Sequence, residues 1–189
     1  MNYKLLPILT FAVLGLFSCK KYTDPVSKVD PRLVQLYCND PYAVNYNWNF
    51  PGTPDSTTCF YPTDVFQGTY ELSDSVYFDS SGLFISANTF YITIRKHSKT
   101  KMAILGFCPW GDSIRLTASA NYSATLDTLV GDSTTLNRGQ MICGLPDTLS
   151  GSITKDQLND SIIYFSLHVS SDTGIATNHI GRAKLKFKK

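Results

Sequence analysis

Four segments of the chain alternate between apolar and polar residues, which is typical of β-strands in a sheet with one buried and one wet face. In the segment 90–95, Phe90, Ile92 and Ile94 share one face. The other three segments predict these buried faces: Ile114, Leu116, Ala118 and Ala120; Ile163, Phe165, Leu167 and Val169; and Ala183, Leu185 and Phe187.

Weaker alternation, separated by short turn signals, predicts further strands near 68–72, 101–107, 136–143 and 147–153. No long helical pattern interrupts them. Residues 64–189 are therefore predicted to form one all-β antiparallel domain of about eight strands, either a β-barrel or a β-sandwich. The pattern leaves both architectures open.

The first residues have the organisation of an export signal. One lysine precedes an apolar run from 5 to 16, which is too short to span a bilayer, and Leu16-Phe17-Ser18-Cys19 follows. This ending resembles the lipobox of bacterial lipoproteins. The resemblance implies a signal peptide over 1–18 and acyl chains, such as palmitate, on Cys19. Lys20 then favours the outer membrane, facing either the periplasm or the cell surface.

The segment after the predicted lipid anchor divides into a polar tether, 19–37, and a module, 38–63, bounded by cysteines. Asp30 is predicted to cap a short helix that begins at Pro31. Cys38-Asn39-Asp40-Pro41-Tyr42-Ala43-Val44-Asn45-Tyr46-Asn47, followed by Asp55 and Cys59, resembles a module of exported Bacteroidota lipoproteins. Ser56 and Thr57 depart from the acidic residue and glycine of that module.

Four side chains of this module, those of Asp40, Asn45, Asn47 and Asp55, carry oxygen ligands of the type that calcium prefers. The alternative interpretation is that they form Asx-turns in a compact loop. No other cofactor is predicted, and no C-x-x-C or His-x-x-x-His spacing indicates zinc.

The four cysteines after Cys19 allow three pairings. We expect Cys38–Cys59 and Cys108–Cys143, because each pair then lies within one structural unit. In an oxidising compartment such bonds are structural.

The β domain opens with Phe66-Gln67-Gly68-Thr69-Tyr70 and closes with Lys184-Leu185-Lys186-Phe187. These ends resemble small lipocalin-like barrels of exported bacterial lipoproteins. An eight-stranded barrel is either filled by side chains or holds one small ligand. The resemblance therefore adds a binder of a small hydrophobic ligand to the candidate functions.

No motif predicts catalysis, and no catalytic residue is assigned. His97 lies in a basic hairpin tip, His168 on the polar face of a strand and His179 at the start of the last strand, so we expect three surface histidines. The net charge of +2 is too small to indicate a nucleic-acid partner.

Asp followed by Ser or Thr and then an apolar residue or Thr occurs seven times, where composition predicts about one. The pattern resembles the O-glycosylation acceptor of exported Bacteroidota proteins, although a turn that leads into a strand has the same sequence. The candidate acceptors are Ser56, Ser75, Ser113, Thr128, Ser133, Thr148 and Ser161.

Together these patterns predict a non-enzymatic lipoprotein of the outer membrane with a structural or interaction β domain. The alternatives are the lipocalin-like binder and a subunit of an envelope assembly that handles glycans. An exposed aromatic patch would favour the last alternative. The protein partner or ligand is not identified by the sequence.

Overall fold

The computed structural model describes residues 28–108, 113–128, 139–141, 147–171 and 175–188. It is nearly all β, with one short α-helix, α1 (Pro62–Phe66), and two 3-10 turns (Pro31–Val34 and Ser56–Thr58). The strands are β1 (Leu36–Tyr37), β2 (Thr53–Pro54), β3 (Gly68–Phe78), β4 (Phe84–Lys96), β5 (Lys101–Leu105), β6 (Ile114–Ser119), β7 (Ser123–Leu126), β8 (Gln140–Met141), β9 (Thr148–Lys155), β10 (Ile162–Ser170) and β11 (Thr177–Phe187). No helix among the described residues is long and apolar enough to cross a membrane.

Eight antiparallel strands form a closed barrel in the order β10-β11-β3-β4-β5-β6-β7-β9, and β9 returns to pair with β10. The closing pair is long and regular, running from Ile163 opposite Lys155 to Ser170 opposite Thr148. Strand β8 adds two residues beside β9. The predicted all-β class and strand number are confirmed, and the architecture is a barrel rather than a two-sheet sandwich.

The barrel interior is packed with apolar side chains. Alternation along β3 turns Tyr70 and Leu72 inward, and the same period sends Glu71 and Ser73 outward. The large side chains that are less than 2% exposed include Tyr70, Phe66, Leu72, Ile92, Ile94, Met102, Ile104, Leu116, Leu149, Ile153 and Ile163. Of the two possibilities for an eight-stranded barrel, these side chains indicate the filled interior.

Helix α1 closes one end of the barrel, which we call the plug end. Val65 and Phe66 join the barrel core. The last carbonyl groups of a helix have no partner within it. Here Lys155 Nζ donates to the Val65 carbonyl at 2.5 Å, and the Tyr70 hydroxyl donates to the Phe66 carbonyl at 2.9 Å. Both donors come from inside the barrel, so the plug and the barrel wall stabilise each other.

The cysteine module is attached to the plug end. A disulfide joins Cys38 to Cys59, as predicted, with an S–S distance of 2.03 Å. Lys99, in the turn between β4 and β5, contacts Asp40 Oδ2 at 2.5 Å. The Tyr61 hydroxyl donates to the same carboxylate at 2.9 Å, and Lys96 Nζ lies 5.0 Å from the centre of the Tyr61 ring. These contacts hold the module against the barrel.

Strand β7 is short and leaves a gap in the barrel wall near the end opposite α1. The Gln140 side chain bridges this gap. The Arg115 N–H donates to Gln140 Oε1 at 2.8 Å, and Gln140 Nε2 donates to the carbonyls of Arg115 at 2.6 Å and Asp127 at 3.1 Å. The amide thus bonds to backbone groups as a peptide unit of another strand would.

The structure departs from the predicted pattern at four places. Ala120, predicted on the buried face of its strand, is exposed, because β6 ends at Ser119. Strand β7 carries no clear alternation and was not predicted. Phe187 does not share the buried face of Ala183 and Leu185, because a bulge between Leu185 and Phe187 shifts the register and leaves Phe187 69% exposed. Asp30 caps the turn that begins at Pro31, as predicted, but that turn is a single 3-10 turn.

We expect Lys155 to give folding stability a characteristic pH dependence. Burial lowers the pKa of its ammonium group, so between the lowered folded pKa and 10.5 the unfolded chain binds more protons. The stability contributed by Lys155 should therefore rise with pH through that window. Urea unfolding at pH 7 and pH 10 should show wild type gaining stability relative to Lys155→Met. A difference between the two proteins that does not change with pH would contradict this assignment.

Candidate functional site

The end of the barrel opposite α1, which we call the mouth, holds a buried polar pair. The alternation that turns Leu72 inward on β3 also turns Asp74 inward, and the alternation of Ala183 on β11 extends back to His179. His179 Nδ1 lies 2.7 Å from Asp74 Oδ2, and the side chains are 17% and 7% exposed. The carboxylate accepts the Nδ1 proton and so fixes the orientation of the imidazole.

Two aromatic side chains lie on one side of this pair. The Phe107 ring lies 6.4 Å from the His179 ring, and Phe90 packs edge-on against Phe107 at 5.8 Å. Thr177 Oγ1 lies 3.4 Å from His179 Nε2. The mouth therefore presents one oriented imidazole beside apolar rings. Such an arrangement can recognise a ligand with an apolar body and a polar group.

Two of the grooves formed by the described residues contain a histidine or an amide side chain. One, of about 380 Å³, is lined by Tyr77, Ser166, Asn178 and Ile180. Beside it, Asn178 Oδ1 lies 3.0 Å from His168 Nδ1, and Asn178 Nδ2 donates to Asp79 Oδ1 at 2.8 Å. The other groove, of about 430 Å³, is lined by His97, Lys101, Met102, Ser113, Arg115 and Asp127.

The candidate calcium ligands make hydrogen bonds within the module. Asp40 accepts the Tyr42 N–H at 3.0 Å, and Asp55 accepts the Thr57 N–H at 2.8 Å. Asn45 joins two segments of the module, because its Oδ1 accepts the Phe60 N–H and its Nδ2 donates to the Thr58 carbonyl. The Asn47 N–H donates to the Cys38 carbonyl at 3.1 Å.

These bonds lower the pKa of two module carboxyls, that of Asp40 chiefly through Lys99 and that of Asp55 chiefly through Thr57. The geometry at both is that of Asx-turns, the alternative interpretation of the sequence. Within the described ranges no cluster of three His, Cys, Asp or Glu side chains is placed to hold a metal.

The residues predicted to be acylated, disulfide-bonded or glycosylated lie in different parts of the chain and do not form one site. Cys19, Cys143 and Ser133 lie outside the described residues, and Cys108 is buried and disulfide-bonded. Among the described acceptor candidates, Ser56, Ser113 and Thr128 are exposed, Ser75 and Ser161 are half-buried, and Thr148 is buried.

The sequence analysis did not find the mouth pair. His179 was expected at the surface, and this expectation is wrong because the inward period of β11 places it inside the mouth. Extending the alternation four residues back from Ala183, and two forward from Leu72, would have identified both inward positions. Their pairing depends on the register of β3 against β11, which no local pattern contains.

No protein-family model matches the sequence, and no curated protein matches it. Among solved structures, EF1p2_mFAP2b bound to DFHBI is similar with a TM-score of 0.41 and 15% identity, over 66% of this chain and 97% of that one. A multidomain protein including DUF1735 from Bacteroides ovatus has a TM-score of 0.36 and 14% identity, over 72% of this chain and 52% of that one.

A second Bacteroides ovatus structure, of unknown function, has a TM-score of 0.33 and 12% identity, over 72% of this chain and 50% of that one. The chain thus spans about half the length of these two structures from Bacteroides ovatus.

We expect the mouth pair to stabilise the fold. Asp74→Ala removes the acceptor of a largely buried imidazole and should lower the free energy of unfolding by about 1–3 kcal/mol. The comparison variant is Asp79→Ala, which removes a largely exposed carboxylate bonded to Asn178 and should cost less, about 0.5–1 kcal/mol. Urea unfolding at pH 7 measures both. Equal losses in the two variants would show that the pair contributes nothing particular.

Proposed function

We propose that this protein is an exported lipoprotein, anchored in the outer membrane through acyl chains on Cys19, whose barrel is a non-catalytic interaction domain. The observation that carries the proposal is the packed interior. Side chains fill the barrel from the α1 plug up to the level of Leu72 and Ile92, which are 1% exposed. Any partner must therefore bind at the mouth or on the outer surface.

The position of the cysteine module supports an orientation for the anchored protein. The module lies against the plug end through Lys99 and Asp40. Lys28 lies nine positions after Cys19, and an extended chain of nine residues reaches at most about 30 Å. We infer that the plug end faces the membrane and that the mouth points away from it.

A binder of a small hydrophobic ligand is the second candidate function. The mouth favours it, because His179 and Asp74 offer a fixed polar partner beside the Phe107 ring, which in turn packs against Phe90. The ligand would lie above the packed core with its polar group at His179 Nε2. The acyl chain of a lipid has no room deeper in the barrel.

A role in a glycan-handling assembly is the third candidate. Tyr77 and Phe84 stack edge-on at 5.8 Å beside the groove that contains Asn178. Aromatic rings next to amide and carboxylate groups suit sugar rings, which present both apolar faces and hydroxyl groups.

The anchor is tested by Cys19→Ala in the native host. We expect wild type to fractionate with the outer membrane and to carry the mass of its acyl chains, because two or three chains hold a protein firmly in a bilayer. The variant should lose both properties. A wild-type protein without added acyl mass, or a variant that stays in the outer membrane, would contradict the anchor.

Native mass spectrometry of the same gently extracted wild-type protein tests the role of the barrel. A chain without a bound small molecule is the result that the interaction domain predicts. A stoichiometric organic ligand would replace this proposal with the second candidate, and His179→Leu should then reduce its retention.

A further inference from the structure

Two arginines lie on the outer face of the barrel, on either side of strand β5. Arg95 of β4 lies opposite Ala103, and Ala103 lies opposite Arg115 of β6. All three positions face outward, because the residues beside them in the strands, such as Ile94 and Ile104, point into the core. Neighbouring strands are about 4.8 Å apart, so the two arginine backbones are roughly 10 Å apart with one buried methyl group between them. Both side chains are long enough to reach one shared ligand group.

Neither guanidinium group has a carboxylate partner among the described residues. The ion pairs of this region join Lys96 to Asp64 at 2.6 Å and Lys101 to Asp127 at 2.9 Å. Asp127 also accepts the Thr117 hydroxyl, so its carboxylate is already engaged. A guanidinium group stays charged and holds its donors in a plane, which suits it to a carboxylate or phosphate group. The two arginines are therefore available for an external anion.

The backbone beneath both arginines is held in place. The Arg115 N–H and carbonyl are bonded to the Gln140 side chain that bridges the barrel wall. Arg95 lies in the regular part of the β4–β5 ladder, which runs from Thr93 to Lys96. Only the two exposed side chains have to be ordered when a ligand binds, and this limits the entropy cost of binding.

Grooves with hydroxyl groups extend from Arg115 across the barrel wall. The groove of about 430 Å³ described above and a neighbouring groove of about 500 Å³ share Lys101, Arg115 and Asp127. Four hydroxyl side chains line the two grooves, those of Ser113, Thr117, Thr125 and Thr128. Hydroxyl groups both donate and accept hydrogen bonds, as the hydroxyl groups of sugars do. No Phe, Tyr or Trp among the described residues lines either groove, which disfavours stacking on a nucleic-acid base.

This face of the barrel has a net positive charge. Its basic side chains are those of Arg95, Lys101 and Arg115. Among the described residues that line the grooves, Asp127 has the only carboxylate. Two positive charges remain, as many as the net charge of +2 of the whole chain. Such a local excess attracts anions. A bilayer surface fits it poorly, because the two arginines flank the central residue of β5 on the side wall rather than the plug end.

We propose that this face binds an acidic sugar chain, one that carries carboxylate groups of the uronic acid type. One carboxylate lies between Arg95 and Arg115 and accepts hydrogen bonds from both. The hydroxyl groups of the neighbouring sugars bond to the hydroxyl side chains of the grooves. The inference rests on the proposed role of the barrel as an interaction domain and names the chemistry of a partner for its outer surface.

Isothermal titration calorimetry of the full-length protein in uncharged detergent tests the site with an oligogalacturonate, in which every sugar carries a carboxylate. We expect binding that Arg95→Gln and Arg115→Gln each weaken about tenfold or more, because each substitution removes charged donors from the shared anion. Arg95→Lys keeps the charge but not the planar donors and should recover only part of the affinity. The methyl-esterified oligomer has the same sugars without the charges and should bind about tenfold or more weakly.

The matched control is Arg182→Gln, which removes an exposed arginine from the outer face of β11, two strands from β4. It should bind the oligogalacturonate as wild type does. All these side chains are exposed, so the variants should keep the wild-type urea unfolding curve. The absence of binding, or an equal loss of affinity in Arg182→Gln, would overturn the proposal. Equally tight binding of the esterified oligomer or of an oligothymidylate would also overturn it.

The result is separable from the tests of the proposed function. A wild-type protein without acyl mass on Cys19 would contradict the anchor and leave the titration unchanged. An oligogalacturonate that fails to bind would contradict this site and leave the anchor intact. A small molecule retained at the mouth would respond to His179→Leu and not to Arg95→Gln.

Discussion

The capping of α1 by two interior side chains is the interaction on which the closed end of the barrel depends. A helix of five residues has little stability of its own. The last two carbonyl groups of this helix can be buried in the barrel because Lys155 and Tyr70 donate hydrogen bonds to them. Burial raises the pKa of the Tyr70 hydroxyl and lowers that of the Lys155 ammonium, so both groups depend on these bonds for compensation.

The plug gives the two ends of the barrel different properties. The plug end is closed, and the Asp40–Lys99 ion pair joins it to the cysteine module. The mouth has the buried Asp74–His179 pair. In the proposed function, the plug end faces the membrane and the mouth recognises a partner.

The sequence predicts much of the sheet because burial on one face imposes a period of two that is visible in single strands. Four features needed information from distant residues, and a fifth was too short to show a pattern. The pairing of Asp74 with His179 depends on register between strands that lie far apart in sequence, and the exposure of Phe187 depends on a bulge. The plug role of Lys155 and the bridge made by Gln140 depend on tertiary placement. Strand β7 has only four residues, too few for a clear period.

The packed interior is most directly tested by xenon, which enters apolar cavities that are empty. Methyl NMR spectra of the folded protein would be recorded under increasing xenon pressure. The structure predicts no saturable shift at the methyl groups of Ile92, Ile94, Leu116 and Ile153, which are at most 1% exposed and lie in the core. Saturable shifts at these groups would reveal an internal cavity and contradict an account in which the barrel acts only through its mouth and outer surface.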